Sequence, residues 1–277
     1  MALSQVPLDA QIVLALDLQR LRSQPIWQVL HAALAKSLHP EAGSFSTSDG
    51  FDPMKEVHRL LVALPGERQD DNRFCVIADV NPSSEARVAT WVREQAKTVR
   101  ATFRPARQPG RLIVGNGAWD APMASLAQSP RLSQSAADNP EMRRLCARAG
   151  QDHPVWFAAI VPASIRRKLI QDARFPDVAS IMRMSGFFDV NGGLHAEMIA
   201  ELSSTADALD LTHRLGVYLN QAKQHPEMLV RGLAPYCEGV RLSAHDASVH
   251  ATLDLSRDQL GEFIERIEAL AHGHGTK

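Results

Sequence analysis

The sequence is poor in aromatic residues, and its charges nearly cancel. Nine Phe, four Trp and two Tyr are present among 277 residues. Proteins that bind single-stranded nucleic acid stack bases on aromatic rings, so this low count argues against that function. The net charge of −1 provides no overall field that attracts nucleic acid or anionic lipid. We therefore expect no nucleic-acid partner.

Cysteines and long apolar runs are equally scarce. Cys75, Cys146 and Cys237 lie far apart without a CxxC pair, which excludes a disulfide framework and a cysteine zinc site. One disulfide and three free thiols both remain open. No apolar run approaches the length of a membrane span, so we expect no transmembrane segment.

Recognisable catalytic motifs are missing as well. The chain has no GxSxG, and Gly115-Asn116-Gly117 lacks the third glycine and the Lys-Ser/Thr of a phosphate loop. Cys75 lies in an apolar run, where a thiol is ordinarily buried and inert. We predict no catalytic residue and no cofactor. Enzymatic activity stays open, although the sequence favours a protein that is not an enzyme.

The clearest structural signal is a hairpin followed by a capped helix. Asn191-Gly192-Gly193 indicates a tight turn whose glycines adopt positive φ. After it, alternate residues from Leu194 to Leu202 are apolar, and the residues between them are polar except Ile199. Ser204-x-x-Asp207 then predicts the start of a helix that ends near Lys223.

Weaker copies of this unit predict an α+β fold built from two similar halves. Each half reads βα-ββα-ββα, with residues 1–128 and 154–277 as the halves and residues 129–153 as a connector. Asn139, Pro140 and Gly150 delimit one helix in the connector. Short hairpins force antiparallel pairing, so we expect mainly antiparallel sheets with helices on one face. The alternative to duplication is that any α+β chain yields such strand-to-helix joints by chance.

The best metal-ligand candidates are His195, Glu197 and His250. Residues two apart on a strand point the same way and lie about 6.5–7 Å apart, a span that one cation bridges. The competing interpretation is the solvent-facing side of an alternating strand, on which His and Glu are expected anyway.

Two other groups of charged residues have a structural interpretation. A local basic concentration favours a solvated surface over an acidic partner; its members are Arg143, Arg144, Arg148, Arg166, Arg167 and Lys168. Asp17, Asp79 and Asp254 each end a strand near a helix start, where a carboxylate stabilises the helix dipole.

The start of the chain resembles exported bacterial proteins of unknown function. The match is carried by a P-x-D-A step, an L-x-S-x-P-x-W segment and a second Phe-Asp-Pro step; its residues are Pro7, Asp9, Ala10, Leu21, Ser23, Pro25, Trp27, Phe51, Asp52 and Pro53. The resemblance implies an envelope location and a binding or assembly role. A natural start at Met1 would instead predict a cytoplasmic protein, because a strand begins too early to leave room for a signal peptide.

The leading functional hypothesis is a non-enzymatic protein that binds another protein or itself through sheet faces and loops. The alternative is a metal-dependent or small-ligand-binding enzyme that uses the outward face of the second-half hairpins. The first hypothesis follows from a well-specified scaffold without a convergent set of reactive side chains.

Overall fold

Ten strands form one continuous antiparallel sheet in the computed structural model. The structure describes residues 3–24, 26–28, 31, 52–66, 73–98, 100–129, 134–171, 179–230 and 232–273. The strand order is β4-β5-β3-β2-β1-β6-β7-β8-β10-β9, and each pairing is antiparallel. The predicted α+β class with mainly antiparallel pairing is confirmed.

The elements have the following bounds. The strands are β1 (Ala10–Asp17), β2 (Val57–Pro65), β3 (Cys75–Val80), β4 (Thr102–Pro105), β5 (Arg111–Gly115), β6 (Val155–Ile160), β7 (Arg183–Asp189), β8 (Gly193–Glu201), β9 (Val240–His245) and β10 (Ser248–Ser256). The described α-helices are α1 (Leu18–Leu21), α2 (Pro53–Glu56), α3 (Glu85–Thr98), α4 (Asp120–Gln128), α5 (Pro140–Arg148), α6 (Ala163–Gln171), α7 (Thr205–Gln224), α8 (Pro226–Val230), α9 (Ala234–Glu238) and α10 (Arg257–Gly273).

The β7–β8 hairpin has the predicted glycine turn and capped helix. Gly192 has φ +78° and Gly193 has φ +155°, and a Cβ on Gly193 would lie 2.3 Å from the carbonyl oxygen of Leu255. Only glycine fits that backbone and that space. The Ser204 side chain accepts a hydrogen bond from the Asp207 amide at 3.1 Å, which caps α7.

Because strand residues alternate in direction, the sheet has two distinct faces. We call them the Trp156 face and the Phe157 face, after neighbouring residues of β6. Trp156 pairs with Ala15 and Phe187, and Phe157 pairs with Leu14 and Gly186. Every other strand residue is assigned to a face through this register.

On the Trp156 face, helix α4 packs over β4 and β5, and helix α5 packs over β6 and β7. They place Met123, Met142 and Leu145 against strand residues such as Val13 and Trp156 in one buried cluster. Helix α5 lies in the predicted connector and begins as predicted, with the Asn139 side chain accepting from two amides. The connector therefore contributes to the core.

The Phe157 face carries helices over both ends of the sheet. Val88 of α3 packs with Ala78 and Leu112 at one end, and Ala208 and Leu211 of α7 pack with strand residues at the other. Helices thus lie on both faces of the first half. In the second half, beyond α5, the described helices that pack on the sheet lie on the Phe157 face.

The strand order is the same on both sides of the central β1–β6 pair. Outward from that pair, the order is β1-β2-β3-β5-β4 in one direction and β6-β7-β8-β10-β9 in the other. The shared order is what a duplicated unit would produce, but it does not establish a common origin of the two sequences. Duplication and the predicted domain boundaries stay predictions.

Three predicted segments differ from the structure or lie largely outside the described residues. Two prolines in residues 224–238 predict a loop, but this segment forms α8 and α9, each with a proline in its first turn. The sequence also predicts a mobile loop over residues 39–52 and a helix that begins at Ser23 and Pro25; residues 39–51 and most of that helix lie outside the described residues. None of the helices that the structure describes combines the length and the apolar character needed to cross a bilayer.

Candidate functional site

A row of charged side chains crosses the Trp156 face where several strands end. The register places Arg111, Asp79, Arg59 and Asp17 on four adjacent strands, with opposite charges as neighbours. Arg111 donates to both carboxylate oxygens of Asp79, at 2.5 and 2.9 Å. Asp17 lies 3.3 Å from Arg59 Nε and also accepts from the Arg20 amide at 3.0 Å. We call this set and its continuation the charged row.

The row continues through two histidine–aspartate pairs in the second half. His153 Nδ1 lies 3.3 Å from Asp189, and His195 Nδ1 lies 2.6 Å from Asp254. Phe187 lies between the two imidazoles. Its ring is stacked on His153 at 3.6 Å between centroids and is tilted 5.4 Å from His195. Aromatic packing therefore links the two pairs.

A cleft opens at the middle of the charged row, where β1 ends and β6 begins. Its volume is about 220 Å³, and it is lined by Asp17, Arg20, Arg59, Gln151, Asp152, His153 and Trp156. A second hollow of about 180 Å³ shares Arg20 with it and reaches Asp189. Most of the lining groups are polar, so the cleft suits a small polar ligand.

The three predicted metal ligands belong to two separate histidine–carboxylate pairs. His195 is bonded to Asp254, whereas His250 Nδ1 lies 3.8 Å from Glu197. Burial lowers the pKa of His250, and nearby His245 lowers it further. Among the residues described, no group of three His, Cys, Asp or Glu is placed to hold a metal ion. A metal on His195, Glu197 and His250 therefore stays a prediction.

The predicted basic concentration is partly neutralised by one carboxylate. Glu201 accepts from Arg144 through both oxygens, at 2.6 and 2.7 Å, and from Arg148 at 2.6 Å. The hydrogen bond from Arg144 is the main cause of a lowered pKa for Glu201, with further contributions from the charges of Arg148 and Arg183. This ion cluster fastens α5 to the sheet. It does not leave Arg144 and Arg148 available for an acidic partner.

Two of the three cysteines are buried thiols. Burial raises the pKa of both Cys75 and Cys146 to about 12, which keeps them protonated at neutral pH. Cys237 is partly exposed on α9, and all three are free. Of the two alternatives that the sequence left open, one disulfide or three free thiols, the structure has three free thiols.

An apolar surface runs across the centre of the Phe157 face. The register places only apolar residues there; they are Ile12, Leu14, Leu16, Leu60, Val62, Leu64, Val155, Phe157, Ala159, Met184, Gly186, Phe188, Ala196 and Met198. We call this set the apolar floor; at its margins Leu16, Leu60 and Val155 pack against the cluster that contains Val88, and Met184 packs against the cluster that contains Leu211. Leu64, Phe188 and Met198 are 37%, 41% and 37% exposed. A Cβ on Gly186 would lie 2.9 Å from the Phe157 ring, so the missing side chain lets that ring lie close to the sheet.

Sequence reasoning missed both the charged row and the apolar floor. Each depends on which strands are neighbours, which local patterns do not specify. Asp17 caps a helix as predicted, but Asp79 and Asp254 bond to Arg111 and His195 instead. A detectable signal was the repeated position of a carboxylate at the same end of several strands.

Comparison with known proteins identifies a shared fold. No family model matches the sequence, and no curated protein that was compared with it matches either. The chain is similar to crystal form III of TP0453, with a TM-score of 0.52 and 10% identity over 94% of this chain and 96% of that one. Crystal form I of TP0453 gives 0.48 and 11% over 98% of both chains. At this identity the likeness shows the fold alone, since one fold hosts many functions.

Proposed function

We propose that the chain is a non-enzymatic binding protein that docks a protein partner on the apolar floor. The observation that carries this proposal is the row Val62, Leu14, Phe157, Gly186 and Met198, which crosses five adjacent strands without a polar side chain. Single exposed apolar residues are ordinary on protein surfaces, but contiguous apolar patches mark interaction sites.

The shape of the floor suits an elongated apolar surface on the partner. Four strand spacings of about 4.8 Å make the floor about 19 Å wide between β2 and β8. Helix α3 packs over β4 and β5 on one side of it, and on the other side α10 packs over β8 and β10 and α7 over β10 and β9. The strands from β2 to β7 lie between α3 and α10 and span about 14 Å, and an α-helix with its side chains is about 10–12 Å across, so the apolar side of a partner helix fits on them.

The charge distribution selects the Phe157 face over the Trp156 face. The floor has no side chain that could leave an unpaired charge buried under a partner, and burying such a charge is costly. On the Trp156 face, the charged row and the Glu201 cluster would have to be desolvated. A partner with an apolar surface therefore binds the floor at lower cost.

Site-specific photo-cross-linking tests this proposal. A photoreactive residue at Met198 or Phe188 is expected to give a discrete adduct with a protein partner or with a second copy of the chain. The matched control is Leu209, which is 59% exposed on α7 and lies off the floor. The adduct from Met198 should disappear when Phe188 is changed to Glu, and the adduct from Phe188 should disappear when Met198 is changed to Glu.

Two results would contradict the proposal. Equal adducts from Leu209 and Met198 would show that labelling follows exposure and not docking. A strictly monomeric protein without any adduct at Met198 or Phe188 in cells would show that the floor has no protein partner.

A further inference from the structure

The cleft in the charged row holds charged groups of both signs that have no side-chain partner. The Arg20 guanidinium donates one hydrogen bond, to the carbonyl oxygen of Asp152. Its other N–H groups, the Asp152 carboxylate and the Gln151 amide have no partner among the described residues. Two nearby carboxylates already have partners: Asp17 in the cleft is paired with Arg59, and Asp189 in the adjacent hollow with His153.

We propose that this cleft binds a free amino acid, with its carboxylate on Arg20 and its ammonium group on Asp152. A guanidinium recognises a carboxylate through two parallel hydrogen bonds, and a carboxylate accepts from an ammonium group. Since the two unpaired charges have opposite signs, a zwitterion complements both. An anion would complement Arg20 but would be repelled by Asp152 and Asp17.

The dimensions and lining agree with a small amino acid. A volume of about 220 Å³ corresponds to roughly seven water molecules at about 30 Å³ each. Gln151 offers both a donor and an acceptor for a polar side chain. Trp156 is buried beneath the cleft and forms its rigid base. The site lies on the opposite face of the sheet from the apolar floor, so it is independent of partner docking.

An NMR titration of the whole chain with L-serine tests the assignment. We expect saturable shifts of the Gln151, Asp152 and His153 amides with a Kd of about 1 mM. N-acetyl-L-serine lacks the ammonium group and L-serinamide lacks the carboxylate. Each is expected to bind about tenfold more weakly, because each loses one charge-assisted contact.

Two substitutions assign the contacts, and a third controls for charge. Arg20→Ala should weaken L-serine binding about tenfold and remove the preference for L-serine over L-serinamide. Asp152→Asn should weaken it similarly and remove the preference over N-acetyl-L-serine. Arg143→Ala, at an exposed arginine on α5, should leave the Kd unchanged. Spectra of the unliganded variants verify that each is folded.

Three outcomes would overturn the assignment. The first is an absence of shifts with L-serine at about 50 mM, far above the expected Kd. The second is equal binding of L-serine and both capped analogues, which would indicate a site for neutral polar molecules. The third is stronger binding of inorganic phosphate alone, which would indicate a simple anion site.

Discussion

The two halves share a strand order but differ in how their Trp156 faces are covered. On that face, α4 packs over β4 and β5 of the first half, and α5 packs over β6 and β7 at the start of the second half. Beyond β7, strand β8 presents His195 and Glu197 on that face, and β10 presents His250. The sequences differ accordingly, since β1 and β3 are apolar at most positions whereas β8 and β9 alternate. An equal backbone arrangement therefore does not imply an equal number of buried faces.

The largest expected loss of stability comes from truncating a buried isoleucine on the Trp156 face. Ile113 of the first half is fully buried, and Ile199 of the second half is 7% exposed. Ile113→Ala should reduce the free energy of unfolding by about 4 kcal/mol, and Ile199→Ala by about 2 kcal/mol. Urea denaturation measures both. Equal losses would show that the two halves are packed equally well on this face.

The next effect concerns the ion cluster that fastens α5 to the sheet. Glu201→Gln should cost about 2 kcal/mol at pH 7, because three arginines lose their partly buried partner. Folding lowers the Glu201 pKa. Its contribution is therefore present above the unfolded carboxyl pKa and is lost as the pH falls through the folded pKa.

The pH dependence provides the control for that cluster. The difference in stability between wild type and Glu201→Gln should shrink as the pH falls below about 4. Glu197→Gln, on the uncovered part of the same strand, should change stability by less than about 0.5 kcal/mol at any of these pH values. A difference for Glu201→Gln that does not vary with pH would show that its charge contributes nothing.

A smaller effect distinguishes the two ends of the charged row. Asp79 is 26% exposed beside an Arg111 that is 12% exposed, whereas Asp254 and His195 are 53% and 47% exposed. Asp79→Asn should cost about 1–2 kcal/mol and Asp254→Asn about 0.5 kcal/mol or less. Denaturation at low and high salt measures both. An equal cost would mean that solvent does not weaken the second-half pair.

The reactivity of the three thiols compares the two halves without any substitution. Cys75 and Cys146 are buried in one hydrophobic cluster, and burial raises the pKa of each to about 12. Iodoacetamide at pH 7.5 should therefore modify Cys237 alone in the folded protein, because only a thiolate reacts. Mass spectrometry of peptides identifies the sites. Rapid modification of Cys75 would show that the first half opens readily.

The smallest expected effect is that of added metal on the second-half face. Since His195 and His250 have different carboxylate partners, we expect zinc to change the melting temperature by less than about 1 °C. A rise of several degrees that His250→Ala abolishes would support the predicted site at His195, Glu197 and His250. Metal analysis of untagged protein provides an independent measurement.

Local features of the fold were predictable because each is determined within a few residues. The turn at Gly192 and Gly193 requires positive φ, and the caps at Asn139 and Ser204 satisfy free amides of the adjacent helix. Alternation in β8 correctly assigned its apolar and polar sides. These are backbone and hydrogen-bond requirements that a short window of sequence contains.

The candidate sites were not predictable because they depend on distant pairing. Whether Arg111 meets Asp79, or Phe157 meets Leu14, follows from the register of strands that are far apart in the chain. Likewise, Arg144 reaches Glu201 only because α5 packs across the sheet. No local periodicity distinguishes a charged residue with such a partner from one in solvent.

The central β1–β6 pair has a consequence for synthesis of the chain. Ala15 pairs with Trp156, about 140 residues later. At 5–20 residues per second, β1 leaves the ribosome on the order of ten seconds before its second neighbour exists. During that interval one of its edges has no native strand to pair with, and an unpaired edge invites aggregation. A chain truncated before β6 would keep that edge, so the nascent first half is expected to be a chaperone client.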